Sequence, residues 1–192
     1  MKILLIDNYD SFTYNLYHLI KAASTEEDSI EIILNDKLSI ETTEKFDRII
    51  ISPGPGLPSE VAILKNIVLA LGQQTPILGI CLGHQAIAES YGASIFNFDK
   101  PAHGISSTIT IYDHSDLFLG MNTRISVGRY HSWNVSKQDF PDCLKITASD
   151  NEGNIMALAH RKHPVFGVQF HPESFITPDG KTIISNFLNY RQ

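Results

Sequence analysis

The chain holds two cysteines and eight histidines, and one of the cysteines stands where it could do chemistry. Cys81 lies in Pro76-Ile77-Leu78-Gly79-Ile80-Cys81-Leu82-Gly83-His84-Gln85. An apolar run ends at it, a helical pattern begins after it, and a glycine stands two residues to either side. This is G-x-C-x-G, the thiol form of the nucleophile elbow. A side chain at a sharp strand-to-helix turn has a strained backbone, and bulky neighbours would collide there. The turn brings the sulfur to a helix N-terminus, which favours negative charge. The N–H of Leu82 is placed to donate to an oxyanion. Cys143, in Phe140-Pro141-Asp142-Cys143-Leu144, has no such setting and reads as structural.

A cysteine nucleophile needs a base, and the base needs an orienting group. His171 sits in Gly167-Val168-Gln169-Phe170-His171-Pro172-Glu173-Ser174, where a β-run delivers it to a strand end. Glu173, two residues on, can orient the imidazole and stabilise its protonated form. The remaining histidines offer less. His18 and His163 have no distinguishing context, and His160, before Arg161 and Lys162, is expected on the surface. His114 lies between Asp113 and Asp116 and reads as a solvated loop, since no second ligand cluster supports a metal. In a Cys81–His171–Glu173 triad the acid comes last, unlike the order of the α/β-hydrolases, where it lies between nucleophile and histidine. A third segment, Ile51-Ser52-Pro53-Gly54-Pro55-Gly56, follows a strand and precedes a helix. Its glycines let backbone N–H groups approach a ligand, which suits an oxyanion donor or a carboxylate cradle. It lacks the spacing of a phosphate loop.

These residues need a frame. Lys2–Ile6, Ile30–Leu34, Arg48–Ile51 and Ile77–Ile80 read as near-continuous apolar strands, with helices over Ser11–Ala23, Val61–Leu71 and Gly83–Tyr91, and Asp7–Thr13 reads as a strand end followed by a helix N-cap from Ser11 or Asp10. That alternation predicts a parallel sheet covered on both faces, with ligand sites at the carboxyl ends of the strands. Ser107–Tyr112, Ile125–Tyr130, Leu144–Ala148, Ile155–His160 and Phe166–Phe170 are strand-like with short connections, as expected of an antiparallel extension on the same core. A helix over Thr182–Tyr190 closes the fold. The expected class is a single α/β domain over 1–192, its central sheet mostly parallel and flanked by helices. At 192 residues, 43% of them apolar, the chain can bury a core of its own. Lys plus Arg is 15 against 21 Asp plus Glu, a net charge of −6 without any basic block. That argues against nucleic-acid and anionic-membrane partners. No apolar run is long enough to span a bilayer, and the quickly polar start is a poor signal peptide. Two unpatterned cysteines suggest no disulfide framework, so a cytoplasmic setting is the simplest expectation.

Taken together, these segments resemble the class I (triad-type) glutamine amidotransferases. Gly79–Gln85, Gly167–Glu173 and Ser52–Gly56 carry the likeness. Asp7-Asn8-Tyr9-Asp10-Ser11-Phe12-Thr13, His103-Gly104 and Arg129-Tyr130-His131-Ser132 narrow it to one branch. That branch comprises the small subunits of anthranilate synthase and of aminodeoxychorismate synthase, and the resemblance spans nearly the whole chain. It implies a flavodoxin-like architecture and hydrolysis of glutamine, the ammonia passing to a chorismate-binding synthase subunit. It implies Cys81 as nucleophile, His171 as proton carrier, Glu173 as its orienter, and the N–H groups of Leu82 and Gly56 as oxyanion donors. Gly54, Pro55, Gly56, Gln85, Ser132 and Trp133 are the implied glutamine pocket. No cofactor is expected in this chain; any magnesium would belong to the partner's chorismate site. Tryptophan biosynthesis is the first expectation, folate biosynthesis or a subunit shared by both the second, and a stand-alone γ-glutamyl thiol hydrolase a distant third. Two positions depart from the family pattern: Ile105 stands after His103-Gly104 in place of lysine, and Trp133 where leucine is common.

Overall fold

The structure is a computed structural model, and it describes residues 1–98 and 101–191. Its strands are β1 (Lys2–Asp7), β2 (Ser29–Leu34), β3 (Arg48–Ile51), β4 (Ile77–Ile80), β5 (Ile95–Asn97), β6 (Ile105–Ile111), β7 (Arg124–Arg129), β8 (Trp133–Val135), β9 (Leu144–Asp150), β10 (Ile155–His160) and β11 (Val165–Val168). The helices are α1 (Thr13–Ala23), α2 (Ile40–Thr43), α3 (Ala62–Leu71), α4 (Leu82–Ser90) and α5 (Gly180–Leu188).

Nine strands form one sheet in the order β2-β1-β3-β4-β11-β10-β9-β6-β7. From β2 to β11 all neighbours run parallel. From β11 onward they run antiparallel. The parallel half therefore has the doubly wound order, which reverses at β1 and places a crevice at the strands' carboxyl ends. The sequence reading of a mostly parallel sheet with an antiparallel extension holds, and each expected strand and helix is present with its ends moved by at most two residues. The strand read over Phe166–Phe170 as part of the extension is, however, β11, which lies parallel to β4 and closes the parallel half.

The apolar runs dictate the layers. β4 and β11 are buried along their whole length, as parallel strands sandwiched between helices must be, and so is the antiparallel β10 beside them. One core packs Leu16 and Ile20 of α1 and Ile183, Ile184 and Phe187 of α5 against Ile3, Leu5, Ile50 and Leu78. The other packs Leu64, Ile67 and Val68 of α3 and Ala86 and Ile87 of α4 against Leu4, Ile6, Ile49 and Ile51. Alternate residues of one strand thus feed opposite faces, as the period of two requires. The short helix α2 starts from a capping box in which Ser39 and Thr42 satisfy each other's backbone N–H. It and the two-stranded β5–β8 ribbon went unread, since segments of three or four residues carry no periodicity. His160 corrects an expectation: it is 8% exposed rather than on the surface. Its Nδ1 accepts from the N–H groups of Lys162 and His163, and its ring stacks on His163 and packs on Tyr91. No helix among the described residues is long and apolar enough to cross a membrane.

Candidate active site

The carboxyl ends of β1, β3, β4 and β11 deliver Asn8, Ser52, Cys81 and Gln169 to one crevice. Cys81 joins β4 to α4 with φ 52° and ψ −100°. A non-glycine residue held there stores about 1–3 kcal/mol of strain, which the surrounding packing must overcome. The flanking glycines explain how it does so. A Cβ on Gly79 would lie 2.3 Å from the carbonyl of Gly83, and one on Gly83 would lie 2.7 Å from the carbonyl oxygen of Ile51. Only hydrogen fits between strand and helix at either point, so α4 can turn back over β3 and β4 immediately after the cysteine. Leu82, the first residue of α4, has an N–H free of any intrahelical partner.

The Ser52–Gly56 loop is pinned rather than floating. The Asn8 N–H donates to Ser52 Oγ at 3.0 Å, and Asn8 Nδ2 donates to the Ser52 carbonyl at 2.9 Å. Asn35 Nδ2 in turn donates to Asn8 Oδ1 at 2.9 Å. Gly54 lies against Asn8 and Leu82, and Gly56 has φ +77°. Asn8 belongs to the Asp7–Thr13 segment, for which the sequence suggested a helix cap. The cap is not formed as expected: α1 begins with Phe12 at the N-cap and no side-chain capping bond. Asp10 instead accepts from the Phe12 N–H, and Asp7 from the Thr13 hydroxyl.

His171 is held from three sides. Its N–H donates to the Gly128 carbonyl at 3.0 Å, and its carbonyl accepts from the Thr177 hydroxyl at 2.7 Å. Its Nδ1 lies 2.6 Å from Glu173 Oε1, with the two side chains only 4% and 1% exposed. Since a carboxylate can only accept, Nδ1 carries the proton, and Nε2 is the nitrogen left for a reacting group. Nε2 is buried and makes no hydrogen bond of its own. Burial disfavours charge on this imidazole, yet the Cys81 sulfur and the Glu173 carboxylate outweigh it and hold His171 up at about 10. Tyr130 and Phe12 cover the ring edge-on, at centroid distances of 5.0 and 6.2 Å.

Beside Cys81 opens a cavity of about 460 Å³. It is lined by Gly54, Pro55, Gly56, Gln85, Ser132 and Trp133, with Leu82, Tyr130 and His131. All six positions implied for a glutamine pocket are therefore gathered around the cysteine. The carbonyls of Ser132 and Trp133 are already engaged, the first by the Phe98 N–H at 2.7 Å and the second by Gln85 Nε2 at 3.0 Å. His131 and His84 stay neutral: burial pushes each down to about 3, helped at His131 by the Arg129 guanidinium.

Sequence reasoning missed Gln169, Tyr130 and Asn8. All three lay inside motifs already singled out, but an uncharged side chain such as Gln169 within an apolar strand gave no signal of its own. Ile105, the departure after His103-Gly104, opens β6 and is 48% exposed. Asp113 binds Lys145 at 2.5 Å and accepts from Ser115, which accounts for the polar loop around His114. Among the described residues no group of three or more His, Cys, Asp and Glu could hold a metal ion.

A nucleophile at a strained elbow, an imidazole paired with a carboxylate, and backbone donors beside an open cavity can together carry acyl transfer through a thioester. Comparison with known proteins agrees. Residues 4–190 match the family described as glutamine amidotransferase class-I. The chain is 43% identical to an anthranilate synthase component 2 from Methanothermobacter marburgensis, over 97% of each chain. It is also 43% identical to an aminodeoxychorismate synthase component 2 from Klebsiella aerogenes, over 97% of this chain and 99% of the relative. A solved glutamine amidotransferase from Thermotoga maritima superimposes with a TM-score of 0.70 at 16% identity, covering 90% of this chain and 76% of that one. That likeness speaks for the fold alone.

Proposed function

Because the chain belongs to the class-I glutamine amidotransferase family, we propose that it is the glutaminase subunit of a chorismate-aminating synthase, working through Cys81, His171 and Glu173. Cys81 Sγ attacks the side-chain amide carbon of glutamine while its proton passes to His171 Nε2. The Leu82 and Gly56 N–H groups stabilise the oxyanion. The C–N bond then breaks, His171 returns the proton to the leaving nitrogen, and ammonia departs from a glutamyl thioester. Water attacks the thioester with His171 as base, the C–S bond breaks, and glutamate leaves. Glu173 keeps Nδ1 protonated and steadies the imidazolium formed at each step. The cavity beside Cys81 takes the amino-acid end of glutamine through Gly54, Pro55, Gly56, Gln85, Ser132 and Trp133.

The observation that carries this reading is the placing of a strained Cys81 and a 2.6 Å His171–Glu173 pair at one crevice, beside a cavity lined by the six implied pocket residues. The ammonia goes to a separate synthase subunit that binds chorismate. Any magnesium requirement falls on that subunit's site, since the chemistry above asks none of this chain. We assign the partner first to anthranilate synthase, and so to tryptophan biosynthesis. A second reading, aminodeoxychorismate synthase and folate biosynthesis, or service to both, is supported by the equal 43% identities to component 2 of each. The setting follows as cytoplasmic.

The test is glutamine hydrolysis by the purified chain, alone and with each chorismate-using synthase. A large rise with one synthase assigns the partner, and a rise with both assigns a shared subunit. Brisk hydrolysis alone, unmoved by either, would replace the proposal with a stand-alone γ-glutamyl hydrolase.

A further inference from the structure

We propose that Gln169 is a further catalytic residue, whose side-chain amide donates a hydrogen bond to the Cys81 thiolate, and that Gln85 is the positioning residue that turns that amide the right way. The inference rests on Cys81 being the nucleophile of the proposed reaction. Gln169 lies at the end of β11, two residues before His171, and is fully buried. Its Nε2 stands 3.6 Å from Cys81 Sγ, a normal reach for a sulfur acceptor.

An amide can present either its NH2 or its oxygen, and the two ends are told apart only by their partners. Here the partners decide. The Trp133 carbonyl can only accept, and Gln85 Nε2 lies 3.0 Å from it. Gln85 therefore points its NH2 this way, and its second hydrogen meets Gln169 Oε1 at 3.2 Å. With its oxygen so occupied, Gln169 must turn its NH2 to the sulfur. The anchor is held from behind as well. His131 Nδ1 lies 3.0 Å from the same carbonyl and so donates to it. That leaves His131 Nε2 as acceptor for Arg129 Nε at 3.1 Å. Arg129 is fixed by Asp150 at 2.9 Å, a pair that is 12% and 4% exposed. A buried file of hydrogen bonds thus runs from Asp150 to the nucleophile, and every donor in it is dictated by its neighbour.

The consequence is chemical. As the Cys81 proton moves to His171 Nε2, negative charge gathers on sulfur. A donor already in place meets it without reorganisation. The same donor meets the thiolate again when the C–S bond breaks in the second half of the reaction. Gln169 is not among the residues lining the cavity, so it acts on the nucleophile and not on glutamine binding.

Alkylation of Cys81 by iodoacetamide tests this in the full chain, read on the Cys81 peptide by mass spectrometry. It needs neither glutamine nor a synthase, so it can fail while the glutaminase reading stands, and the reverse. Gln169→Met keeps the length and apolar fill but removes the donor. Cys81 should then react about tenfold more slowly, the change that about 1.4 kcal/mol of lost thiolate stabilisation gives. In the synthase complex kcat should fall with it, while KM for glutamine stays within about twofold. Gln85→Glu leaves Gln169 in place but offers it only acceptors, so its amide turns and shows oxygen to the sulfur. This variant should also slow alkylation, and adding Gln169→Met to it should slow the reaction no further. Wild-type alkylation rates in the folded variants would overturn the proposal. So would a raised KM with unchanged alkylation. Additive slowing in the double variant would overturn it too, because the carboxylate introduced at position 85 would then be acting by its charge alone. Should Gln169→Met fail to fold by thermal melting, Gln85→Met, which frees the Gln169 amide to turn without adding charge, carries the decision: slowed alkylation supports the proposal and a wild-type rate overturns it.

Discussion

Glu173→Gln separates the charge of the carboxylate from its shape. In the wild type Oε1 accepts a hydrogen bond from the Nδ1–H of His171 at 2.6 Å, inside a site almost sealed from water. Burial opposes the imidazolium, and the Cys81 sulfur and the Glu173 carboxylate together hold His171 at about 10. The amide keeps an acceptor there but no charge. A hydrogen bond to a charged group contributes about 1.5–3 kcal/mol and a neutral one about 0.5–1.5, so the difference is roughly 1–1.5 kcal/mol. On a step that builds positive charge on His171, that is about a tenfold fall in kcat. The fall is larger if the amide turns its NH2 toward Nδ1, because the ring is then fixed in the wrong tautomer. The assay is glutamine-dependent product formation by the synthase complex near neutral pH, with added ammonia as the parallel nitrogen source. Glutamine-dependent turnover drops about five- to tenfold or more, and ammonia-dependent turnover does not change. Stability supplies a second reading. A histidine raised in the folded state stabilises fully below its unfolded value of 6.5, and that contribution is lost as pH rises through about 10. The variant is therefore less stable than wild type near neutral pH, and the gap narrows as pH approaches about 10. A variant within about twofold of wild type in glutamine turnover, or a stability gap that ignores pH, would refute the reasoning.

Three other changes follow from the same geometry. Gly83→Ala places a methyl group 2.7 Å from the Ile51 carbonyl oxygen; urea unfolding should show a loss of about 1–3 kcal/mol, with activity falling further because the elbow must move. His84 is fully buried with neither ring nitrogen bonded, and burial holds it down at about 3. The unfolded chain therefore binds its proton first, and stability is lost as pH falls below the unfolded value of 6.5. In His84→Leu the slope of stability against pH between about 6 and 4 should be shallower by about 1.4 kcal/mol per pH unit, measured by urea titration at each pH. Asn8→Ala strands the Ser52 carbonyl and Asn35, both buried; it should cost about 1–3 kcal/mol in the same unfolding assay and raise KM for glutamine by loosening the Ser52–Gly56 loop.

β3 and β4 were readable as parallel strands because burial on both faces leaves unbroken apolar runs, whereas β11 is as apolar but follows a run of short strands, and only its place beside β4 shows that it runs parallel. Cys81 was readable because a strained elbow needs glycine at fixed offsets, and the structure places Gly79 and Gly83 where a methyl group would strike backbone. Other features depend on partners distant in sequence. Gln169 is one uncharged residue in an apolar stretch, and its meaning rests on a cysteine 88 positions away. His160 looked exposed beside Arg161 and Lys162, but its ring nitrogen accepts two local N–H groups, and that draws it inward. The cap expected from Asp10 or Ser11 failed for a similar reason. Asp7 takes the Thr13 hydroxyl and Asp10 the Phe12 N–H, so the turn closes one residue later than the polar pattern suggested.

The central claim is that Cys81 carries the glutamyl group. The most direct measurement is an acid quench of the chain turning over isotopically labelled glutamine with its synthase, followed by digestion and mass spectrometry. The account predicts labelled glutamyl thioester on the Cys81 peptide, and neither label nor glutamine turnover in Cys81→Ala. Steady glutamine hydrolysis by Cys81→Ala, or label trapped on another residue, would contradict it.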